Sequence, residues 1–534
     1  MSNLMIKNVN IIDMVNPKPY KSNILIKDGK IKEINTSISN QNVETLDGKE
    51  QFIIPGFIDT HSHLLLYGLF KELVDVRPET IKNISDIKKA LKQQLPKKDS
   101  GEWIVGQGYN ELELDEERHI TKQELDEVST EHPIYLRHSS AHMGVANSKA
   151  LEIANINDET ENPEGGYFSK TDGTLNGLLY ELPAVEKLLP YLPKPSKEEM
   201  IDALKNAAQD YIEKGITTAS EASVGLAHGK DDISAYHEYI QLENDINLRI
   251  MIDYQLLLND ERIKDKTYQE LNEEIQTLSN QKCTLDSAKF FQDGSIQINT
   301  AALTQPYKNE NTKSEIIIKQ ETLESLYTSF AEKGFPLTTH ANGDAAIKSI
   351  IKAYSKIQSL PNYNHETRIE HIQTGEYEDI VAMKNNQISG SFFTNHIYYF
   401  GDQHYEKFLG PNRANLIDPA RWAQDLGVLY TLHSDCPVTP ISPIDNIMIA
   451  CNRKTKSGRT LGKELKLTRL ESLKAMTING AKLNHTENQN GTIEPNKNAD
   501  FVILNHNPLD ESIDLNDDMI QYTIIGGKVV YKRS

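Results

Sequence analysis

The sequence predicts an α/β protein whose body is a (β/α)8 (TIM) barrel, with a small β-sandwich domain built from both chain ends. Three observations lead there. Short apolar strands alternate with helical segments from Ile53 to Gly480, in enough units for eight parallel strands. Both ends read instead as short alternating strands joined by tight turns. Between about residues 67 and 195 the alternation gives way to long, polar, turn-rich chain.

The amino-terminal strands are "MIKNVNIID" and "SNILIKDGKIKEI", the second interrupted by Asp28-Gly29, a strong hairpin signal. At the far end, "GTIEPNKNADFVILNH" and "QYTIIGGKVVYKR" have the same character. Chain ends of compact proteins often lie close together, so residues 1–54 and 481–534 are assigned to one β domain and 55–480 to the barrel. Within the barrel, "SKEEMIDALKNAAQDYIEKG" opens on a Ser196/Glu199 capping box and stops at Gly215, and "ITTASEA" follows as a strand. "KQETLESLYTSFAEKG" before "FPLTTHANGD", and "TRIEHIQTG" before "EYEDIVAMKNNQ", repeat the rhythm. The irregular region, with "GQGYNELELDEERH" and "NPEGGYFSKTDGTLNG", is too long for a structureless loop; it is read as a substructure inserted after the first barrel strand.

Composition narrows the function. With 38% hydrophobic and 25% charged residues, the chain can bury a sizeable core. A net charge of −20 argues against nucleic acid and against an anionic membrane, which leaves small-molecule substrates and is compatible with a homodimer. Three scattered cysteines make no disulfide framework. The start lacks signal-peptide features and no run of ~18 apolar residues occurs, so a cytoplasmic protein is expected.

The chemistry-bearing stretch is "IIPGFIDTHSHLLLYG", in which His61 and His63 stand two apart. Sixteen histidines in 534 residues would produce roughly half an H-x-H pair by chance, so context must decide. The pair sits where the apolar strand "FIIPGFID" reaches its carboxyl end, where barrel enzymes place their chemistry, and residues two apart on extended chain share a face. Lys289, His340, His371 and Asp435 occupy the corresponding place in later units. Singly, each has an ordinary reading as a solvated or hydrogen-bonding surface residue. Six ligand-capable residues at strand ends, in chain order, instead indicate a divalent-metal centre, with zinc expected.

"PGFIDTHSH", "HANGDAAI", "RIEHIQ", "HSDCPV" and the closing "GTIEPNKNADFVIL" resemble the amidohydrolase superfamily. "KFFQDGS" and "LRHSSAHMGVANSKAL", with the later "GGYF" and "GLLYE", resemble its YtcJ-like branch (amidohydrolase family 3), which includes N-substituted formamide deformylase. The resemblance spans nearly the whole chain. It implies that His61, His63 and Asp435 bind a buried metal, that His340 and His371 bind a second, and that Lys289, carboxylated by CO2 to a carbamate, bridges them. It also implies hydrolysis of a carbon–nitrogen bond in an amide, formamide or cyclic amide, with Asp435 accepting a proton from water and passing it to the leaving amine.

Asp293, Asp344, Arg368 and Glu370 lie beside these residues, either orienting imidazoles or forming barrel-top salt bridges. His142 and Glu181, in "SSAHMG" and "LLYELP", are candidate substrate contacts or simply hold the insertion together, and Trp103 and Tyr109 share that ambiguity. A thiol nucleophile at Cys436 is disfavoured by its neighbour Asp435. Two other functions stay open: deamination of an amino-heterocycle with one metal, and a metal-binding regulatory barrel without turnover.

Overall fold

A computed structural model describes residues 3–16, 18–38, 43–78, 80–138, 143–310, 312–360 and 363–534. The chain divides into two compact units, 1–66 with 204–534, and 67–203. None of the described helices is long and apolar enough to cross a membrane.

The larger unit contains a parallel sheet of eight strands in chain order: β1 (Phe57–Ser62), β2 (Ile216–Val224), β3 (Asn247–Asp253), β4 (Cys283–Phe291), β5 (Leu337–Ala341), β6 (Thr367–His371), β7 (Ser389–Phe392) and β8 (Tyr430–Leu432). The chain just past β8 returns to β1 through hydrogen bonds from Asp435 N to His61 O (3.1 Å) and from His63 N to Cys436 O (2.8 Å), so the sheet nearly closes into a barrel. Strands covered on both faces need no polar alternation, and every residue of β1, β2, β6, β7 and β8 is buried. Inside, small hydroxyls replace bulky side chains near the histidines. Thr60 Oγ1 lies 2.8 Å from Thr431 Oγ1 and 3.1 Å from Ser391 Oγ, linking β1, β7 and β8.

The helices follow their sequence signals. Ser196 and Glu199 cap Lys197–Glu213 reciprocally, and Gly215 (φ 78°) turns the chain into β2. Gln320–Glu332 precedes β5, and Tyr377–Asn385 follows β6.

Strands from both ends join in one mixed eight-stranded sheet. Its seam pairs Phe501–Leu504 antiparallel with Phe52–Pro55. Tyr20–Lys27 and Lys30–Ile34 form the expected hairpin, with Asp28 (φ 51°) and Gly29 (φ 77°) both left-handed as such a turn requires. The run Phe52–Asp59 is not the single strand expected from its apolarity. It is split between two sheets: Phe52–Pro55 belongs to the terminal sheet and β1 to the barrel, with Gly56 between them. A Cβ at Gly56 would lie 2.2 Å from the Thr217 side chain, so only glycine allows the switch at this close approach.

The second unit has a six-stranded sheet in the order Tyr167–Thr171, Thr174–Tyr180, Met143–Ala146, Ile134–His138, Ile104–Tyr109, Val74–Asp75. Its core includes Val76, Ile87, Leu91, Ile104, Ile134 and Leu136.

Candidate metal centre

The carboxyl ends of β1, β4, β5, β6 and β8 carry the six residues singled out in the sequence, and the structure draws three of them tightly together. His61 is the penultimate residue of β1, His63 directly follows the strand, and Asp435 comes three residues after β8. His63 Nε2 lies 3.1 Å and His61 Nε2 3.3 Å from Asp435 Oδ1. That carboxylate oxygen is buried and, among the described residues, makes no hydrogen bond despite the two nearby nitrogens, so the three atoms face a common point. Donors about 2.0–2.1 Å from a tetrahedral cation stand roughly 3.3 Å apart, the spacing found here. The set therefore fits a divalent cation.

A carboxylate backs each of these imidazoles. Glu370 Oε2 stands 2.8 Å from His61 Nδ1, and Glu370 Oε1 accepts a 2.6 Å hydrogen bond from Arg368 Nε. Glu221 Oε1 lies 3.6 Å from His63 Nδ1, and its other oxygen accepts from the Tyr236 hydroxyl and from Leu65 N (3.2 Å). Such partners aim the far nitrogen of each ring and increase its basicity. Electrostatics follow this layout. Burial opposes charge on His63, but Asp435 and Glu221 raise its pKa to about 9. Burial would lift the Asp435 carboxyl, yet His61, His63 and His371 hold it well below the carboxylate range.

The other three residues are arranged differently. Lys289, in β4, is completely buried; its Nζ lies 5.1 Å from the Phe291 ring centroid and has no hydrogen-bond partner among the described residues. Burial pushes its ammonium down to about 8 against the pull of Glu370 and Asp435. His340, in β5, meets Gly294 O at 3.0 Å through Nε2. Burial, with Lys289 next, lowers it to about 4. His371, at the end of β6, takes a left-handed backbone (φ 70°), and its Nδ1 is 3.1 Å from His433 Nε2. Burial and then the neighbouring His340 hold its pKa well below that of a free imidazole.

The flanking residues divide. Arg368 and Glu370 act on His61 as described. Asp293 accepts hydrogen bonds from the backbone N–H groups of Ala302, Asn342 and Gly343 (3.0, 3.0 and 2.7 Å), and its Oδ1 also lies 3.7 Å from His340 Nε2; Asp344 holds Thr304 and Lys348. Cys436 contributes its carbonyl to His63 N, and its thiol is buried. In the inserted unit, Tyr109 OH lies 3.1 Å from His119 Nδ1. Trp103 packs on a core cluster there, Glu181 is half-buried with φ 66°, and His142 lies outside the described residues.

Two residues of the centre escaped the sequence reading. His433 Nδ1 lies 2.7 Å from Ser391 Oγ, and His61, His371 and His433 form a second cluster of potential metal donors. The signal was available, since His433 and Asp435 repeat the spacing of His61 and His63. Glu221 was the other, an acid inside the wholly buried strand "ITTASEASV".

Residues 44–531 match the amidohydrolase family. The chain is 26% identical to the putative amidohydrolase YtcJ of Bacillus subtilis (strain 168), covering 96% of each chain. It is 24% identical to N-substituted formamide deformylase of Arthrobacter pascens, covering 100% of this chain and 99% of that one. A crystal structure of an uncharacterized metal-dependent hydrolase from Pyrococcus horikoshii OT3 shares the fold, with a TM-score of 0.77 at 22% identity, covering 98% of this chain and 100% of that one. The chain belongs to the amidohydrolase family.

Proposed function

We propose that the protein hydrolyses an amide, with N-formyl and N-acyl amines as its substrate class, at a centre held by His61, His63 and Asp435. The observation that carries this reading is the convergence of His61 Nε2 and His63 Nε2 on the unbonded Asp435 Oδ1, with Glu370 and Glu221 behind the rings. Two nitrogens and one carboxylate suit zinc. When bound, the cation makes water nucleophilic near neutral pH and polarises the substrate carbonyl. Asp435, held as a carboxylate, takes the proton from the water and delivers it to the leaving nitrogen. His340 and His371 are the residues for a second cation, with Lys289 as its anionic ligand once carboxylated. The partnerless Lys289 Nζ supports this, since a buried amine near pKa 8 has a substantial uncharged fraction available to CO2.

The similarity to an N-substituted formamide deformylase makes N-formyl amines the first compounds to try. Elemental analysis together with a screen of N-formyl and N-acyl amines checks the proposal. Metal-loaded protein that cleaves none of them, or purified protein without stoichiometric metal, ends it. The three inner donors are by themselves a complete mononuclear set, which supports a second reading, deamination of an amino-heterocycle with one cation. Metal per chain, read beside the substrate screen, divides the two.

A further inference from the structure

Strand β7 contributes no residue to the centre proposed above, yet the turn that follows it holds a buried histidine–aspartate pair. His396 lies in the first turn of the helix Asn395–Gln403 and is 2% exposed; Asp418 is fully buried. His396 Nδ1 and Asp418 Oδ1 are 3.0 Å apart. The chain 22 residues later is bent to achieve this. Asp418 takes a left-handed backbone (φ 51°), a conformation that aspartate tolerates better than most non-glycine residues.

The surroundings of the pair are specific. The buried Arg453 donates to Asp418 O (3.1 Å), Ile417 O (2.6 Å) and Leu461 O (2.7 Å), and Asp418 N donates to Gln373 O (2.8 Å), two residues past His371. From the other side, Asn395 Nδ2 donates to Thr439 Oγ1 (2.8 Å), which donates to Ser434 O (2.6 Å), next to Asp435. The pair is thus pinned between the loops carrying His371 and Asp435. The His396 ring centroid is 6.3 Å from that of His371, with the Phe393 ring 4.4 Å from His396.

A carboxylate at Nδ1 accepts a hydrogen bond from the N–H there and so leaves the lone pair on Nε2; among the described residues Nε2 has no hydrogen-bond partner. We infer that His396 Nε2 accepts the N–H of the scissile amide, so that the protein selects amides with a hydrogen on the nitrogen over N,N-disubstituted ones. This rests on the amide-hydrolysis reading and adds a specificity. The water oxygen bonds to the acyl carbon, the C–N electron pair leaves on nitrogen, and the proton that Asp435 took from water ends on that nitrogen. An N–H held by His396 fixes the rotation of the nitrogen so that its lone pair faces Asp435. Asp418 and Arg453 are positioning residues, acting only through His396.

The experiment compares kcat/KM for an N-monosubstituted formamide and its N-methylated counterpart, with metal content and thermal melting measured for every protein. Wild type should prefer the monosubstituted compound. His396→Phe should collapse that preference by roughly 10–100-fold, the effect of losing one buried hydrogen bond to substrate, and His396→Gln, whose Oε1 still accepts, should restore part of it. Asp418→Asn can donate to Nδ1 and so move the proton onto Nε2, where it opposes the substrate N–H; it should lower the preference without touching His396. Equal losses on both compounds in His396→Phe and Asp418→Asn would mean that the pair only holds loops together, and would overturn the inference. A wild type with no preference would overturn it too, while leaving amide hydrolysis standing. A metal-loaded wild type that cleaves neither compound would remove the hydrolysis reading itself.

Discussion

The two halves of the centre are built from the same kinds of side chain and behave in opposite ways. In the inner half, His61 and His63 each have a carboxylate behind them and a shared carboxylate in front, three anions around two imidazoles. His63 responds by holding a proton up to about pH 9, a sign that the pocket seeks positive charge. In the outer half, His340 meets the neutral carbonyl of Gly294 at 3.0 Å and His371 another imidazole at 3.1 Å, the carboxylates of Asp293 and Asp435 stand further off (3.7 and 3.9 Å), and the Lys289 ammonium lies close by; both rings are held neutral. Ring nitrogens alone therefore do not set affinity. On the proposed reading, what stands behind each ring would suit the inner half to a cation and make the outer half depend on converting Lys289 from cation to anion.

The contrast can be broken most directly by removing the inner donors. His61→Ala with His63→Ala should cost at least one equivalent of metal by elemental analysis and all measurable turnover; unchanged metal content would refute the assignment of the inner half. Asp435→Asn should come next. It keeps an oxygen donor without the basicity, so turnover should fall by about 10²–10⁴ while part of the metal remains, and near-normal rates would exclude Asp435 as the proton carrier.

The outer half is tested by Lys289→Ala, measured as metal per chain with and without bicarbonate. Wild type should approach two equivalents with bicarbonate and the variant one, with partial recovery when a short carboxylate is added. Only the uncharged amine reacts with CO2. With an ammonium pKa of about 8, roughly a tenth of Lys289 is reactive at pH 7, so outer loading at fixed bicarbonate should rise between pH 6.5 and 8.5. A stoichiometry of one in every sample would leave a mononuclear centre and favour the deaminase reading. The smallest expected effect is Glu221→Gln, which should weaken inner metal affinity by about 10–100-fold at unchanged stoichiometry under saturating metal. No change in affinity would reduce Glu221 to a structural partner of Tyr236.

Much of the barrel was legible because parallel strands buried on both faces appear as short apolar runs ended by caps and glycines, and His61 with His63 stood out because alternation puts both on one face. The same continuity hid the change of sheet at Gly56, since apolarity marks burial without saying in which sheet. Glu221 was invisible for a related reason: an acid in a strand usually faces water, and only the fold reveals that all of β2 is enclosed. The pairing of His396 with Asp418 has no local signature. It depends on Arg453 and Gln373, brought in from elsewhere in the chain, and no spacing rule encodes it.

The seam between Phe52–Pro55 and Phe501–Leu504 has a consequence for biosynthesis. The strand that runs through Gly56 into the histidine-bearing β1 has its antiparallel partner about 450 residues later, so a ribosome must finish almost the whole chain before that edge is covered. Until then the nascent protein carries an open apolar strand, "FIIP", exposed to wrong pairing. A chain truncated near its end would keep every residue of the candidate centre and leave this edge uncovered.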